Sequence, residues 1–313
     1  MLLLTGATGL VGRELLKRLA RPVLAPARPQ YDIRLPLLGL EERQLRDVTE
    51  IIHCAADTRF SLPLDEARAT NVQGTENVLD AARRCPRLEK FAHVSTVYVA
   101  GQTAGRIAET YAVHENVYTN TYQQSKHEAE ERVVRAMAEI PASIYRFSSI
   151  IGDSITGRVE RFNYVHQLLK LLPRNIFPVA PGDPEAPVDL IATDVAVGTL
   201  ASLFDAHFIP GSVHQICAGA EGSMTVGEVV DRAVAILRPR RVPKLVPLDE
   251  YERFVRGRPD DPLFREIVRV TNLFLPHLAI RQEFDNDSTR AAMAACGAPP
   301  ISETYEKVVR ACA

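Results

Sequence analysis

The chain has 313 residues, 46% of them hydrophobic and 24% charged, proportions that suit a globular protein with ample apolar material for a core. Its formal net charge of -2 and interspersed acidic and basic side chains give no bulk electrostatic reason to bind nucleic acid or an anionic membrane. Five scattered cysteines without a C-x-x-C pair favour reduced thiols, and the apolar run Met1 to Leu4 is too short for a leader or a membrane span, so a cytoplasmic location is expected.

Leu2 to Leu4 reads as a strand, followed by glycines and then by Leu10, Val11, Leu15, Leu16 and Leu19 at helical spacing. Val23 to Ala25 is a candidate second strand, cut short by Pro22, Pro26, Pro29 and Pro36. Leu37 to Leu45 looks helical, and Glu50 to Ala56 is a buried strand ending in small residues. Leu64 to Arg84 reads as one long helix with Ala67, Val72, Val78, Leu79 and Ala82 on its apolar face, stopped by Pro86. Phe91 to Thr96 is the next strand, Tyr122 to Ala138 the next helix and Ala142 to Ile151 the strand after it. Beyond Gly152, helices are expected over Asn163 to Leu172, Ala192 to Leu203 and Thr225 to Leu237, with a proline-rich loop from Pro173 to Pro187 and a strand at Val213 to Ala218.

Strands alternating with helices predict an α/β chain: a doubly wound parallel sheet of Rossmann type with a smaller C-terminal substrate lobe. The expected division is 1–152 for the dinucleotide-binding unit, with 186–220 returning to it, and 153–185 with 221–313 for the lobe. Ligands of such sheets sit at the carboxyl ends of the strands, where the glycines, Cys54-Ala55-Ala56 and Ser95-Thr96 all fall.

Thr5-Gly6-Ala7-Thr8-Gly9-Leu10-Val11-Gly12 sets three glycines between a strand and a helix. Gly6 permits the sharp turn, Gly9 lets backbone approach a pyrophosphate, and Gly12 lets the helix pack on the strand. An acid at the end of the second strand would suit NAD, whereas an arginine suits the extra phosphate of NADP. The candidate is Arg28, so NADP(H) is favoured over NAD(H).

Tyr122 and Lys126, four apart on a helix, share a face. A lysine ammonium beside a tyrosine stabilises the phenolate and brings its pKa down toward the working range. Ser95 and Thr96, at the preceding strand end, are placed to supply a hydroxyl that holds a substrate oxygen. A lone Tyr-x-x-x-Lys is otherwise a packed tyrosine and a snorkelling lysine.

These residues resemble the extended short-chain dehydrogenase/reductase superfamily. Within it, Ile51 to Phe60 (IIHCAADTRF), Asn71 to Thr75 (NVQGT), His93 to Thr96 (HVST) and Gly152 to Gly157 (GDSITG) are similar to the thioester reductase and fatty acyl-CoA reductase branch. The resemblance runs from Met1 to about Gly157 and is echoed at Val188 to Asp194 and Phe284-Asp285. It implies reduction of an acyl thioester, on coenzyme A or a carrier protein, to an aldehyde or alcohol by NADPH. Tyr122 would protonate the oxygen, Thr96 would share it with Ser95 in reserve, and Lys126 would hold the ribose and tune Tyr122. The cofactor site it implies comprises Gly6, Ala7, Thr8, Gly9, Leu10, Val11, Gly12, Arg28, Asp32, Cys54, Ala55, Ala56, Asn71, Phe147 and Ser149, with Tyr122 and Lys126. A homodimer through the helices at 64–84 and 122–138 is a further implication.

The sequence departs from that family in two places. Arg28 and Asp32 are only four apart, with Tyr31 where the family has glycine, so either a helix has been deleted or Arg28 is not the family's arginine. Phe147 stands where the family has proline, and would narrow the nicotinamide pocket or pack under it. His53, His93 and His214 read as core or edge histidines rather than metal ligands, Cys54 as a small apolar residue, Asp153 to Gly157 as either a substrate loop or a turn, and Arg238 to Arg241 as a solvated cluster. Two other functions share these features: a sugar-nucleotide epimerase or dehydratase of the same superfamily, and a catalytically impaired cofactor-binding or sensing protein.

Overall fold

The computed structural model describes residues 1–111, 117–175, 178–258 and 262–313. Six strands form the central sheet: β1 (Leu2–Thr5), β2 (Val23–Leu24), β3 (Glu50–His53), β4 (Lys90–Thr96), β5 (Ala142–Phe147) and β6 (Val213–Ile216). Their order is β6-β5-β4-β3-β1-β2, and every neighbouring pair is parallel. The chain leaves β1 toward one edge to make β2, then crosses back to make β3 on the other side. That reversal opens a crevice above the carboxyl ends of β1 and β3.

Alternation along the strands builds two apolar layers. Leu3, Ile51, Phe91 and Ile144 face one side and pack with Val78, Leu79 and Val133. Leu2, Leu4, Ile52, Ala92 and Tyr145 face the other, against Leu15, Val195, Leu200 and Phe204. In chain order the helices to this point are α1 (Leu10–Leu16), α2 (Leu64–Asn71), α3 (Gln73–Arg83), α4 (Thr121–Ala136), α5 (Tyr164–Leu171) and α6 (Thr193–Ala206); α3 and α4 supply the residues on the first face and α1 and α6 those on the second. A sheet covered on both faces buries whole strands, which is why β1 is a run of leucines rather than an alternating pattern.

Three expected elements are divided. The helix over Leu64 to Arg84 is two, α2 and α3, joined at Val72 (φ -93°, ψ -61°), where the Thr75 hydroxyl takes the Asn71 carbonyl at 2.7 Å. The strand over Ala142 to Ile151 ends at Phe147; Ser149–Gly152 leaves the main sheet to pair with Leu190–Ala192. The helix over Leu37 to Leu45 is a 3₁₀ turn at Pro36–Gly39 and a single α-turn at Glu42–Leu45, because Leu37 and Leu38 take left-handed φ of 47° and 63°, with the Leu38 side chain buried in the core. Between β2 and β3 the described residues hold only these two short turns, with no further strand and no long helix. The strand at Glu50 also stops at His53, leaving Cys54-Ala55-Ala56 as the loop at the crevice.

The longer helices that follow are α7 (Val226–Leu237), α8 (Leu248–Arg256), α9 (Pro262–Thr271) and α10 (Ile301–Cys312), with single turns at Gly219–Gly222 and Arg290–Ala294. A capping box starts α7, with Glu228 N donating to Thr225 Oγ1 at 3.1 Å and Thr225 N to Glu228 Oε2 at 2.8 Å. Val165, Leu169, Leu190, Ala233, Tyr305 and Val308 form one apolar cluster, which ties α5, α7 and α10 together. Part of the segment assigned to the lobe returns to the sheet side: Gln282–Phe284 pairs with Gly105–Ile107, and Ala292 and Met293 pack under α6. Asp153 to Gly157 is a turn. Asp153 Oδ1 accepts from Thr156 N at 2.8 Å, and Ser154 is pinned to Asp194 and to Lys307. No helix among the described residues is long and apolar enough to cross a membrane.

Candidate active site

A cleft of about 650 Å³ runs along the crevice, from Pro26, Arg28 and Asp32 at one end to Tyr122, Tyr164 and Phe274 at the other. Its floor at the middle is the glycine turn. Gly6 has φ +73°, and a Cβ there would stand 2.6 Å from Ala55 N. A Cβ on Gly12 would collide with the Gly6 carbonyl, whereas one on Gly9 would meet only that carbonyl, at 3.2 Å. Gly6 and Gly12 are therefore fixed by close packing of turn, helix and β3 loop, whereas the protein itself leaves more room at Gly9. The loop Cys54-Ala55-Ala56 forms the facing wall. Burial pushes the Cys54 thiol up to about 12, so it carries no thiolate.

A chain of buried hydrogen bonds holds that wall. Thr5 Oγ1 lies 2.7 Å from His53 Nδ1, and His53 Nε2 lies 3.0 Å from Thr75 Oγ1. Asn71 accepts from Asp57 N at 2.8 Å, donates to Asp57 O at 3.0 Å, and donates to Ser125 Oγ at 2.9 Å. Asn71 thus stands outside the cleft lining and ties the β3 loop to α4.

At the far end, α4 is started by Asn120, whose side chain accepts from Gln123 N at 3.0 Å. It presents Tyr122, Lys126 and Glu130 at successive four-residue steps. The hydroxyl beside the Tyr122 phenol is that of Thr96; Ser95 Oγ is buried without a hydrogen-bond partner. Burial pushes the Tyr122 phenol well above the ordinary tyrosine value, against the Thr96 hydroxyl, which works downward. The expected lowering by Lys126 is therefore not what governs this phenol. Lys126 Nζ instead donates to Val94 O at 2.9 Å and lies 3.1 Å from His93 Nε2. Burial brings this lysine down to about 8, with Glu130 and Cys54 acting upward.

Glu130 was not singled out on sequence, although its spacing from Lys126 repeats that of Lys126 from Tyr122. It is fully buried and pairs with Arg146 on β5, Nη2 to Oε2 at 2.6 Å and Nε to Oε1 at 3.0 Å. Also unanticipated is a ring of hydroxyls over the cleft: Tyr98 to Ser149 at 2.8 Å, Tyr98 to Tyr164 at 3.0 Å and Ser149 to Tyr164 at 2.5 Å. The ring of Phe60 stacks on Tyr122 with centroids 5.7 Å apart. Phe147 lines the cleft and packs in the core beneath it with Ala7 and Ile191.

At the opposite end, Asp32 carries a bidentate ion pair from Arg34, at 2.7 to 3.1 Å, and sits 3.3 Å from Arg28 Nε. The Arg34 guanidinium holds its carboxyl below the usual carboxylate range. Two guanidiniums around one carboxylate leave this end positive. Arg161 and Arg59, the latter paired with Asp57 at 2.7 Å, also line the cleft. Among the described residues no group of three His, Cys, Asp or Glu side chains is placed to hold a metal ion. His214 is satisfied by Ser212 and Ser288, each at 2.7 Å.

Residues 30–200 match the family model described as Male sterility protein, a span of more than half the chain. The chain belongs to the Male sterility protein family. This places it among the extended short-chain dehydrogenases/reductases, on the thioester reductase and fatty acyl-CoA reductase branch that its motifs resemble. A Drosophila melanogaster relative, fatty acyl-CoA reductase wat, is 26% identical over 207 residues, covering 56% of this chain and 40% of the relative. The non-canonical nonribosomal peptide synthetase hkm10 of Aspergillus hancockii is 27% identical over 197 residues, covering 58% of this chain and 19% of the synthetase. The chain therefore spans less than half the length of either. The terminal R domain from the myxalamid PKS-NRPS biosynthetic pathway shares the fold of this family member at a TM-score of 0.80, with 23% identity, 99% of this chain and 89% of that domain covered.

Proposed function

We propose that this family member is a reductase that uses a nicotinamide dinucleotide, NADP(H) in preference to NAD(H), to reduce the carbonyl of an acyl thioester on coenzyme A or a carrier protein. The observation that carries the reading is the meeting of Thr96, Tyr122 and Lys126 at one end of a cleft whose floor is the glycine turn. The cleft fits the dinucleotide: Gly6, Ala7, Thr8, Gly9, Leu10, Val11 and Gly12 offer backbone to the pyrophosphate, with Cys54, Ala55 and Ala56 on the facing wall. Arg28 and Arg34 would meet the adenosine phosphate that distinguishes NADP, Asp32 serving to hold them. When bound, the dinucleotide supplies the hydride.

Tyr122 keeps its proton at neutral pH because burial disfavours the phenolate. It gives that proton to the carbonyl oxygen as the carbon is reduced, and Thr96 orients the same oxygen. The resulting hemithioacetal loses its thiol to leave the aldehyde. Lys126, one turn along α4, would offset the negative charge left on the phenol as the proton leaves, with His93 and the Val94 carbonyl fixing its position. Phe60 and Phe147 exclude water from the wall of the site. Arg59 and Arg161 at the mouth suit the phosphate of coenzyme A or of a carrier's phosphopantetheine arm.

The test is oxidation of NADPH and NADH by the purified chain with acyl-coenzyme A, aldehyde, ketone and nucleotide-sugar panels. Turnover of acyl-coenzyme A with NADPH preferred is expected. Tight nucleotide binding with no turnover on any panel would leave a cofactor-binding protein instead, and turnover of the nucleotide sugars alone would make it an epimerase or dehydratase.

A further inference from the structure

The first turn of α4, which carries Tyr122, is held from outside the helix. Thr121 Oγ1 donates to the Leu62 carbonyl at 2.9 Å, and Asn120 Nδ2 donates to the Leu273 carbonyl at 3.0 Å. The buried Gln123 meets His277, its Nε2 standing 2.5 Å from the imidazole Nε2, and the Thr119 hydroxyl lies 2.8 Å from the same ring nitrogen. Leu273 and His277 belong to one short stretch of the lobe, which ends in the 3₁₀ turn Leu275–Ala279. That stretch also meets the cleft. Leu273 and Phe274 line it, Phe274 stacks on Tyr164, and the His277 ring lies 5.3 Å from that of Tyr98.

The donors and acceptors around His277 fix its tautomer. Thr119 N, which can only donate, stands 3.1 Å from Gln123 Oε1, so the oxygen of that amide faces Thr119 and its nitrogen faces His277. The amide nitrogen also can only donate, which leaves His277 Nε2 as acceptor and puts the ring proton on Nδ1. His277 Nδ1 is buried without a hydrogen-bond partner, and an N–H left unpaired is unfavourable. The tautomer is therefore set by Gln123 and not by the surroundings of Nδ1. Burial takes this imidazole down to about 4, so at neutral pH the ring is uncharged and its Nε2 is free to accept.

The N–H groups that open a helix have no partner within it, so the place of a first turn is set by what meets it from outside. Further along, α4 is locked to β5 through Glu130 and Arg146; at its start the lobe supplies the hold. We propose that His277 is a positioning residue for Tyr122. Its Nε2, by accepting from Gln123, sets the first turn of α4 and makes the place of the phenol depend on the lobe stretch that also lines this end of the cleft. The inference rests on the reading of Tyr122 as proton donor given above.

The experiment uses the full chain with His277→Gln, which keeps an acceptor near the place of Nε2, and with His277→Phe and His277→Asn, which remove it. Nitrogen-15 spectra of the histidine rings, assigned by the signal lost in His277→Gln, read the tautomer. A carbon-13 label at tyrosine Cζ, assigned with Tyr122→Phe, reads the surroundings of the phenol. Single-turnover mixing of NADPH-loaded protein with an acyl-coenzyme A reads hydride transfer. The uncharged Nδ1–H tautomer is expected at neutral pH, with the Tyr122 signal displaced in His277→Phe and His277→Asn and at its wild-type position in His277→Gln. Hydride transfer should be about 10- to 100-fold slower in the first two variants and near the wild-type rate in His277→Gln, the NADPH Kd being unchanged in all. In a Tyr122→Phe background the same substitutions should slow the reaction by less than about twofold further, because they act through that phenol. An Nε2–H tautomer or an imidazolium, an unmoved Tyr122 signal in folded His277→Phe or His277→Asn, or a His277→Gln rate as low as theirs overturns the assignment. So does the full loss repeated in the Tyr122→Phe background. If neither His277→Phe nor His277→Asn folds, the tautomer and the Tyr122 signal of His277→Gln decide. If the wild type reduces no acyl-coenzyme A, the reductase reading falls, whereas the tautomer and the Tyr122 signals still decide whether His277 places the phenol.

Discussion

Lys126 shows how burial sets the chemistry of a single residue. Its pKa is brought down to about 8 by desolvation, and the titratable groups coupled to it are His53 and His93 from the sheet, Cys54 from the β3 loop and Glu130 from its own helix. If the ammonium supports proton release from Tyr122, kcat/KM falls as pH rises through about 8, and a profile flat to pH 9 in steady-state assays would count against that role. His53 has the opposite interest in pH. Burial takes it down to about 3, with Lys126 acting in the same direction, whereas the unfolded chain takes up that proton near pH ~6.5. Between these values the unfolded state binds more protons. Stability is therefore full above about pH 6.5 and is lost progressively as pH falls toward 3. The urea midpoint should be lower at pH 5 than at pH 7.5, and this difference should shrink in His53→Gln. Tyr122, Lys126 and Thr96 could be read in the sequence because their spacing and order carry chemistry. The meeting of Tyr98 and Tyr164 with Ser149, itself read as a cofactor-site residue, could not, since three hydroxyls distant in sequence meet only when β4, the strand at 149–152 and α5 are in place.

At the scale of elements, α4 and β5 are locked by Glu130 and Arg146, whose side chains are 0% and 5% exposed. Removing one partner leaves the other charge buried, which costs roughly 3 to 5 kcal/mol. Glu130→Gln is expected to lower the denaturation free energy by that order, measured by urea titration, and a change under about 1 kcal/mol would show that water reaches Arg146. The long elements were legible from periodicity: β1, β3, β4, α4, α6 and α7 lie where apolar spacing and caps set them. The errors fall where side-chain pattern does not determine the backbone path. Leu37 and Leu38 have helical composition but left-handed backbone, and Ser148 sits between two strands of different sheets with no proline or glycine to announce the break.

The whole molecule is a crevice at a topological reversal with a lobe over one end, and the two ends of the crevice were unequally readable. The end at Thr96, Tyr122 and Lys126, where we propose that the nicotinamide lies, follows from motifs. The other end, where we propose that the adenosine lies, is built from the short irregular segment between β2 and β3, so Arg34, which pairs with Asp32, came to light only in three dimensions. Arg28→Ala should lower the preference for NADPH over NADH by about tenfold, the order of one hydrogen bond to a charged group, and ratios of kcat/KM for the two nucleotides measure it. No change would remove Arg28 from the phosphate. The central claim is that Tyr122 delivers the proton in this cleft. Its most direct test is single-turnover mixing of NADPH-loaded protein with an acyl-coenzyme A, following nicotinamide absorbance in wild type and Tyr122→Phe. The account predicts a rate about 10² to 10⁴-fold lower in the variant with the NADPH Kd unchanged; equal rates in the two proteins would contradict it.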